Sequence, residues 1–257
     1  MRIASFNING IKARLPRLLE WLEETRPTIA CLQEIKCIDE NFPAGELEKI
    51  GYRAIWYGQK SFNGVAILAD GAEPVEIRRG LPGDDADEQA RYLEADIAGT
   101  RIACIYLPNG NPQPGPRFDY KLAWMERLRN RMRAIWDEEI PAVLLGDFNV
   151  IPEDKDIWSP KAMGDDALMQ PESRDAWRRL LNDGWTDAID TLNPRGGVWT
   201  YWDYQAGAWQ HDHGFRIDHA LLSPELADRL VAAGVDKDHR GREKASDHAP
   251  VWIGLRD

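Results

Sequence analysis

The stretch KASDHAPVWIGL, residues 244–255, joins an acid, a histidine and a proline to an apolar run. The run VWIGL has the length and composition of a buried strand, and such a strand needs no Asp-His pair at its entrance. Ser, Asp and Pro also suit a turn, so an isolated SDHAP would be interpreted as a turn. The rest of the chain reverses that preference, because its other apolar runs carry polar residues of the same kind.

Six apolar runs are bordered by such residues. The four that end in them are RIASF into NING (2–10), TIACL into QE (28–34), RIACI into YLPNG (101–110) and AVLL into GDFN (142–149). Two more are entered from the polar side, through RIDH (216–219) and SDHAP (246–250). If these last two strands run antiparallel to the others, all the polar groups lie at one edge of the sheets, where α/β folds bind ligands.

The segments between these runs predict an α/β fold. Leucines at positions 15, 18, 19 and 22 recur at helical spacing, and a longer amphipathic pattern extends from Phe118 to Ile135. Segments such as NGVAILAD indicate antiparallel strands with turns. The combination predicts mixed sheets covered by helices. No low-complexity linker or close repeat divides the chain, so residues 1–257 are expected to form one domain.

The composition is that of an ordinary soluble globular protein, with 43% hydrophobic and 29% charged residues. The sequence has no run long enough to span a bilayer and no signal-peptide core at its start. Cys31, Cys37 and Cys104 form no CxxC pair, which favours free thiols in a reducing, cytoplasmic compartment. The net charge of −11 argues mildly against nucleic acid, but carboxylates in a metal site also lower the total.

The expected edge cluster combines acids, amides, one tyrosine and one histidine. Its members are Asn7, Asn9, Glu34, Tyr106, Asn109, Asp147, Asn149, Asp218, Asp247 and His248. Carboxylates are ligands for Mg²⁺ or Mn²⁺, and amides and histidine donate hydrogen bonds to anionic oxygens. Because the chain has no nucleophile motif and no P-loop, this inventory favours metal-assisted hydrolysis by water, with a phosphate ester as substrate.

The ordered set SFNING, LQE, YLPNG, GDFN, RIDH and SDHAP resembles the endonuclease/exonuclease/phosphatase superfamily. More specifically, it resembles the exodeoxyribonuclease III type of DNA-repair enzyme, the apurinic/apyrimidinic endonucleases. The resemblance covers essentially the whole chain, and GYRAIWYGQKSFNGVAIL and RRGLPGDD add to it. It implies a four-layer α/β sandwich, with two packed mixed β-sheets flanked by helices and the site at one sheet edge.

The resemblance also implies roles at the reacting centre. Glu34 would be the principal metal ligand, with Asn9 and Asp247 close to the metal, which would be Mg²⁺ or alternatively Mn²⁺. Asp147 would orient or deprotonate the attacking water, and His248 would bond a phosphate oxygen. Both Asp147 and His248 remain candidates for the general base.

The remaining roles concern orientation, phosphate and sugar. Asp218 would orient His248. The residues expected at the scissile phosphate and its neighbouring side chains are Tyr106, Asn109, Asn149, Asn7 and Lys121. Tyr201 and Phe215 would wall the pocket for an abasic sugar. Three basic residues directly follow edge motifs and are candidates for contacts with the phosphates of the DNA backbone: Lys12, Arg14 and Lys36.

The function implied is Mg²⁺-dependent DNA repair. The enzyme would act as a 3′→5′ exonuclease on double-stranded DNA, cut 5′ to abasic sites and clear blocked 3′ ends. Its partner would be double-stranded DNA, especially abasic or 3′-blocked, with no membrane partner, and the protein would act as a monomer. Two alternatives stay open: a phosphatase on a non-nucleic-acid phosphate ester, and a nucleic-acid-binding module without catalysis.

Overall fold

The computed structural model describes residues 1–256, in which two six-stranded sheets pack face to face. The strands are β1 (Arg2–Asn7), β2 (Ile29–Gln33), β3 (Tyr52–Tyr57), β4 (Val65–Asp70), β5 (Val75–Arg79), β6 (Tyr92–Ile97), β7 (Thr100–Tyr106), β8 (Ala142–Asp147), β9 (Thr186–Asp187), β10 (Asp218–Leu222), β11 (Leu230–Val235) and β12 (Val251–Leu255). The α-helices are α1 (Ile11–Thr25), α2 (Ala44–Lys49), α3 (Pro116–Asp137), α4 (Pro171–Asn182), α5 (Ala188–Leu192) and α6 (Pro224–Ala227).

The strand order is β11-β12-β1-β2-β4-β3 in the first sheet and β5-β6-β7-β8-β10-β9 in the second. Both sheets are mixed, because β1 pairs with β2 and β7 with β8 in parallel while the other neighbours are antiparallel. The predicted fold class is confirmed. The strands entered through RIDH and SDHAP are β10 and β12, and both run antiparallel to their neighbours β8 and β1.

Three apolar clusters account for the four layers. One fills the space between the sheets, with residues such as Ile67 and Val143. A second packs α3 and α4 on the outer face of the second sheet, and a third packs α1 on the outer face of the first. The predicted amphipathic pattern lies within α3, whose apolar side chains Met125 and Leu128 are buried in the second cluster. Burying these faces is the main favourable contribution to folding.

Other sequence expectations concern the cysteines and the membrane. Cys31 and Cys104 are buried, Cys37 is half-buried, and all three thiols are free. Of the helices in residues 1–256, none combines the length and apolar character that crossing a bilayer requires.

Candidate active site

The polar edge residues meet because of strand polarity. Asn7 ends β1, Tyr106 ends β7 and Asp147 ends β8, while Asp218 begins the antiparallel strand β10. The register places Asp147 directly beside Tyr106 on one side and opposite Asp218 on the other. The sheet edge predicted from the sequence motifs is therefore one continuous site, and residues from both sheets form it.

Unusual backbone conformations occur at this edge. Asn9, Glu34 and Asn149 have positive φ angles of 47°, 51° and 47°, a region that non-glycine residues rarely adopt. Such positions persist where the surrounding structure holds them, and they are common at functional sites. Gly146, within GDFN, is required by close packing, since a Cβ there would lie 1.9 Å from the carbonyl oxygen of Ile105.

Asn7 joins two acids that come from different sheets. Its buried amide donates to Glu34 Oε1 at 2.8 Å and to Asp147 Oδ2 at 3.0 Å. The other oxygen of Asp147 accepts a hydrogen bond from the backbone N–H of Asn149 at 2.9 Å. These hydrogen bonds fix the orientations of both carboxylates.

The three residues expected near a metal lie in one chain of contacts. Asn9 Nδ2 donates to Asp247 Oδ1 at 3.0 Å, and the ammonium of Lys36 contacts Asn9 Oδ1 at 2.5 Å and Glu34 Oε2 at 2.7 Å. Burial would raise the pKa of Glu34, but Lys36 and the amide of Asn7 hold it below its ordinary value. The sequence suggests Lys36 as a phosphate contact, but its ammonium instead pairs with Glu34. We refer to Glu34, Asn9 and Asp247 as the acidic corner.

His248 is paired with Asp218 beside Asp147. Its Nδ1 donates to Asp218 Oδ2 at 2.8 Å, and its Nε2 lies 3.8 Å from Asp147 Oδ2. Burial alone would lower the pKa of His248, but the neighbouring carboxylates, Asp218 first, raise it to about 10. Burial raises the pKa of Asp147 to about 7, with His248 opposing the shift and Asp218 and Glu34 adding to it. At neutral pH, the side chain of His248 is therefore a protonated imidazolium. Its neighbour Asp147 gains or loses its proton near pH 7.

Three of the phosphate-binding candidates, Tyr106, Asn109 and Asn149, border a cleft of about 620 Å³ that is also lined by Asp147 and His248. Burial raises the pKa of Tyr106 well above its usual range, and the charges of Glu34 and Asp147 raise it further, so its hydroxyl stays protonated. Asn109 and Asn149 both line the cleft and are joined by a hydrogen bond of 3.1 Å.

Lys121 lies beneath this cleft and does not line it. It is fully buried, its ammonium donates to the backbone carbonyls of Asn109 and Asn149, and burial lowers its pKa to about 7. Lys121 therefore holds together the two loops that carry these asparagines. Its contact with phosphate stays a prediction.

The cleft also has an aromatic wall, which adjoins His248. Tyr201 and Phe215 pair as bridge partners, with ring centroids 4.7 Å apart, and the Tyr201 ring lies 5.0 Å from that of His248. Trp158 and His213 extend this wall, although no sequence pattern distinguished Trp158 from the other ten tryptophans. Arg14, a candidate phosphate contact, donates to Tyr204 Oη and to the backbone carbonyls of Asn9 and Ala245, the residue that precedes SDHAP.

Comparison with known proteins agrees with this geometry. The family model described as the endonuclease/exonuclease/phosphatase family matches residues 4–248. An exodeoxyribonuclease III from Haemophilus influenzae is 36% identical over the whole of both chains. An AP endonuclease structure from Archaeoglobus fulgidus superimposes with a TM-score of 0.96 at 35% identity, with full coverage of both chains. The structure of a Neisseria 3′ phosphatase bound to a product DNA hairpin superimposes with a TM-score of 0.97 at 35% identity, again with full coverage. The chain therefore belongs to the endonuclease/exonuclease/phosphatase family and, within it, to the nucleases of the exodeoxyribonuclease III type.

Proposed function

We propose that this nuclease is a magnesium-dependent DNA-repair phosphodiesterase acting on abasic and 3′-blocked double-stranded DNA. It cuts 5′ to abasic sites and removes nucleotides and blocking groups from 3′ ends. The observation that carries the proposal is the buried group of Asp147, His248 and Asp218 next to the aromatic wall of one cleft. Relatives named as an exodeoxyribonuclease, an AP endonuclease and a 3′ phosphatase on DNA support all three activities.

The acidic corner fits a divalent cation. Single ligand atoms of Glu34, Asp147 and His248 lie within 4.8 Å of one another. Oxygens of Glu34 and Asn9 already converge on the ammonium of Lys36, so this corner is arranged around positive charge. We assign the metal to Glu34, Asn9 and Asp247 and leave out His248, because a protonated imidazole is no ligand. Oxygen donors of this kind suit Mg²⁺, with Mn²⁺ as a substitute.

When bound, the metal supplies a Lewis acid that neutralises charge on the phosphate. The protein supplies the base. A buried carboxylate with a pKa of about 7 is suited to accepting a proton near neutral pH, and the side chain of Asp147 is held by Asn7 and by the backbone of Asn149. The water oxygen bonds to phosphorus, its proton passes to Asp147, and the bond to the 3′ oxygen breaks. The leaving 3′ oxygen takes a proton from solvent water, which gives a 3′-hydroxyl.

His248 acts as the charged donor. Its pKa of about 10 keeps it protonated, and with Nδ1 committed to Asp218, its Nε2–H is free to bond a non-bridging phosphate oxygen. Its raised pKa favours Asp147 over His248 as general base. The protonated hydroxyl of Tyr106 and the amides of Asn109 and Asn149 supply further donors around the same phosphate.

The aromatic pair supplies lesion selectivity. Tyr201 and Phe215 form an apolar wall next to His248, which suits a sugar rotated out of the duplex. A nucleotide without a base costs less to unstack, so abasic sites enter such a pocket most easily. Because every proposed role is filled from one chain, we further propose that residues 1–257 act as one domain and as a monomer. The free thiols favour the cytoplasm as its compartment.

The test uses two labelled duplexes, one with a single abasic site and one intact, in Mg²⁺ and in EDTA. We expect incision at the abasic site and shortening of the intact 3′ end only when the metal is present. Glu34→Ala should abolish both while DNA binding persists. Glu48→Ala is the matched control, because Glu48 is an exposed acid on α2. A wild-type protein that cleaves neither duplex in any divalent metal would contradict the proposal.

A further inference from the structure

Two aromatic side chains at the cleft wall form a flat surface with no role in the reaction described above. The rings of Trp158 and His213 are parallel, with centroids 3.6 Å apart and an interplanar angle of 9°. His213 covers one face of the indole, yet Trp158 remains 42% exposed. Both residues line the same cleft as Asp147 and His248. We refer to the pair as the Trp158–His213 platform.

The platform is fixed to the sugar-pocket wall by backbone pairing. The N–H of Trp158 donates to the carbonyl of Gly214 at 3.0 Å, and Ile157 forms a bridge with Phe215. A Cβ on Gly214 would lie 2.6 Å from the indole nitrogen of Trp202, so this segment has little room to shift. The two rings are thus preorganised, and a ligand that stacks there need not order them.

The platform adjoins a series of aromatic rings that leads from His248 along the cleft wall. The series begins at His248, passes Tyr201 at a ring distance of 5.0 Å and reaches Phe215 after another 4.7 Å. His213 is two residues from Phe215, and Ile157, which precedes Trp158, pairs with Phe215, so the platform continues the aromatic wall next to Phe215. In a nucleotide, the base and the 5′ phosphate arm are attached to different carbons of the sugar, C1′ and C4′. When the sugar contacts Tyr201 and Phe215 and the phosphate lies at His248, the base remains in the same cleft, where the platform is the neighbouring flat aromatic surface.

We propose that the Trp158–His213 platform binds the base of the nucleotide whose sugar occupies the Tyr201–Phe215 pocket. This inference rests on the proposed nuclease function and deepens it. Stacking on an aromatic ring is available to every base, so the platform makes an intact 3′-terminal nucleotide a substrate without requiring a particular sequence. An abasic sugar has no base to stack and gains nothing from it. The platform therefore raises exonuclease activity and leaves abasic incision unchanged.

The experiment compares Trp158→Ala with wild type on a duplex with an intact recessed 3′ end and on a duplex with one abasic analogue. Loss of one stacked base should lower exonuclease kcat/KM by roughly 5- to 100-fold. Abasic incision should stay within about twofold, since the reacting groups are untouched. Trp158→Phe keeps an aromatic face and should recover most of the exonuclease activity. Trp136→Ala is the control, because Trp136 is 37% exposed and lies near the end of α3, outside the cleft.

A second readout separates stacking from a merely structural role. Larger bases stack more strongly, so wild type should remove terminal purines faster than pyrimidines, and Trp158→Ala should lose that preference. An equal loss of exonuclease and abasic incision would show that Trp158 only supports the folded structure. Unchanged exonuclease activity would show that the Trp158–His213 stack does not bind the base. Either result overturns the inference. If the wild-type protein cleaves neither duplex, the proposed nuclease function is refuted, and the proposed role of the platform is refuted as well.

Discussion

Replacing Asp218 with Asn should shift the pH dependence of cleavage toward acid. Asp218 contacts His248 Nδ1 at 2.8 Å, both side chains are buried, and the carboxylate is the leading cause of the raised pKa of His248. Asparagine keeps an acceptor oxygen but removes the charge. An opposite charge at this distance is worth roughly 1–3 pKa units, so the pKa of His248 should fall from about 10 by that amount.

The rate consequence follows from the two protonation states that the reaction needs. Asp147 must be ionised and His248 protonated, so wild-type kcat/KM should rise with pH through about 7 and fall through about 10. In Asp218→Asn the alkaline limb moves down by roughly 1–3 units. The acid limb also moves down, because the charge of Asp218 contributes to the raised pKa of Asp147. One unit above the new alkaline pKa, the variant should be about tenfold slower than its own plateau.

The assay is kcat/KM on an abasic duplex between pH 5.5 and 10.5 at constant ionic strength and saturating Mg²⁺. Asp228→Asn, at an exposed position after α6, is the matched control and should keep the wild-type profile. An alkaline limb that stays in place or moves upward in Asp218→Asn would refute the assignment of that limb to His248.

Three further predictions test other parts of the site. Lys36→Met removes the ammonium beside Glu34, so Mg²⁺ should bind about tenfold more tightly, by calorimetry without DNA; unchanged affinity would show that this charge does not oppose the metal. Gly146→Ala should cost more than about 3 kcal/mol of unfolding free energy, because its Cβ would meet the Ile105 carbonyl at 1.9 Å; a wild-type melting temperature would disprove the clash. In the folded protein the pKa of Lys121 is about 7, below its ordinary value of 10.5. Folding therefore favours the neutral amine, and the contribution of Lys121 to the free energy of unfolding rises with pH between 7 and 10.5. The difference in urea-unfolding free energy, wild type minus Lys121→Met, should therefore increase from pH 7 to 9; a constant difference would contradict the depressed pKa.

The sheet-edge geometry could be predicted because it depends on strand polarity alone. Apolar runs that end in Asn7 or Asp147 place those side chains at carboxyl ends, and an antiparallel strand beginning at Asp218 brings the third group to the same edge. These inferences need only the length and order of the runs. The assignment of metal, phosphate and sugar roles to individual residues remains a set of predictions.

Contacts that depend on loop conformation were beyond sequence reasoning. Lys36 pairs with Glu34 in a segment where both residues have positive φ angles, which no residue pattern announces. The family resemblance places Lys121 near the scissile phosphate, but no residue pattern announces that tertiary packing buries it under two loops. Trp158 and His213 lie 55 positions apart and meet only because their segments pair.

The long-range origin of the site bears on how the protein is made. Asn9 and Asp247 hydrogen-bond across 238 positions of the chain, and β12 lies between β11 and β1 in its sheet. During translation, a nascent chain that has not yet reached residue 248 lacks both His248 and the strand β12, which lies between β11 and β1 in the first sheet. A growing or truncated polypeptide that ends before His248 therefore lacks part of the proposed active site, and this site can be completed only after nearly the whole chain has been synthesised.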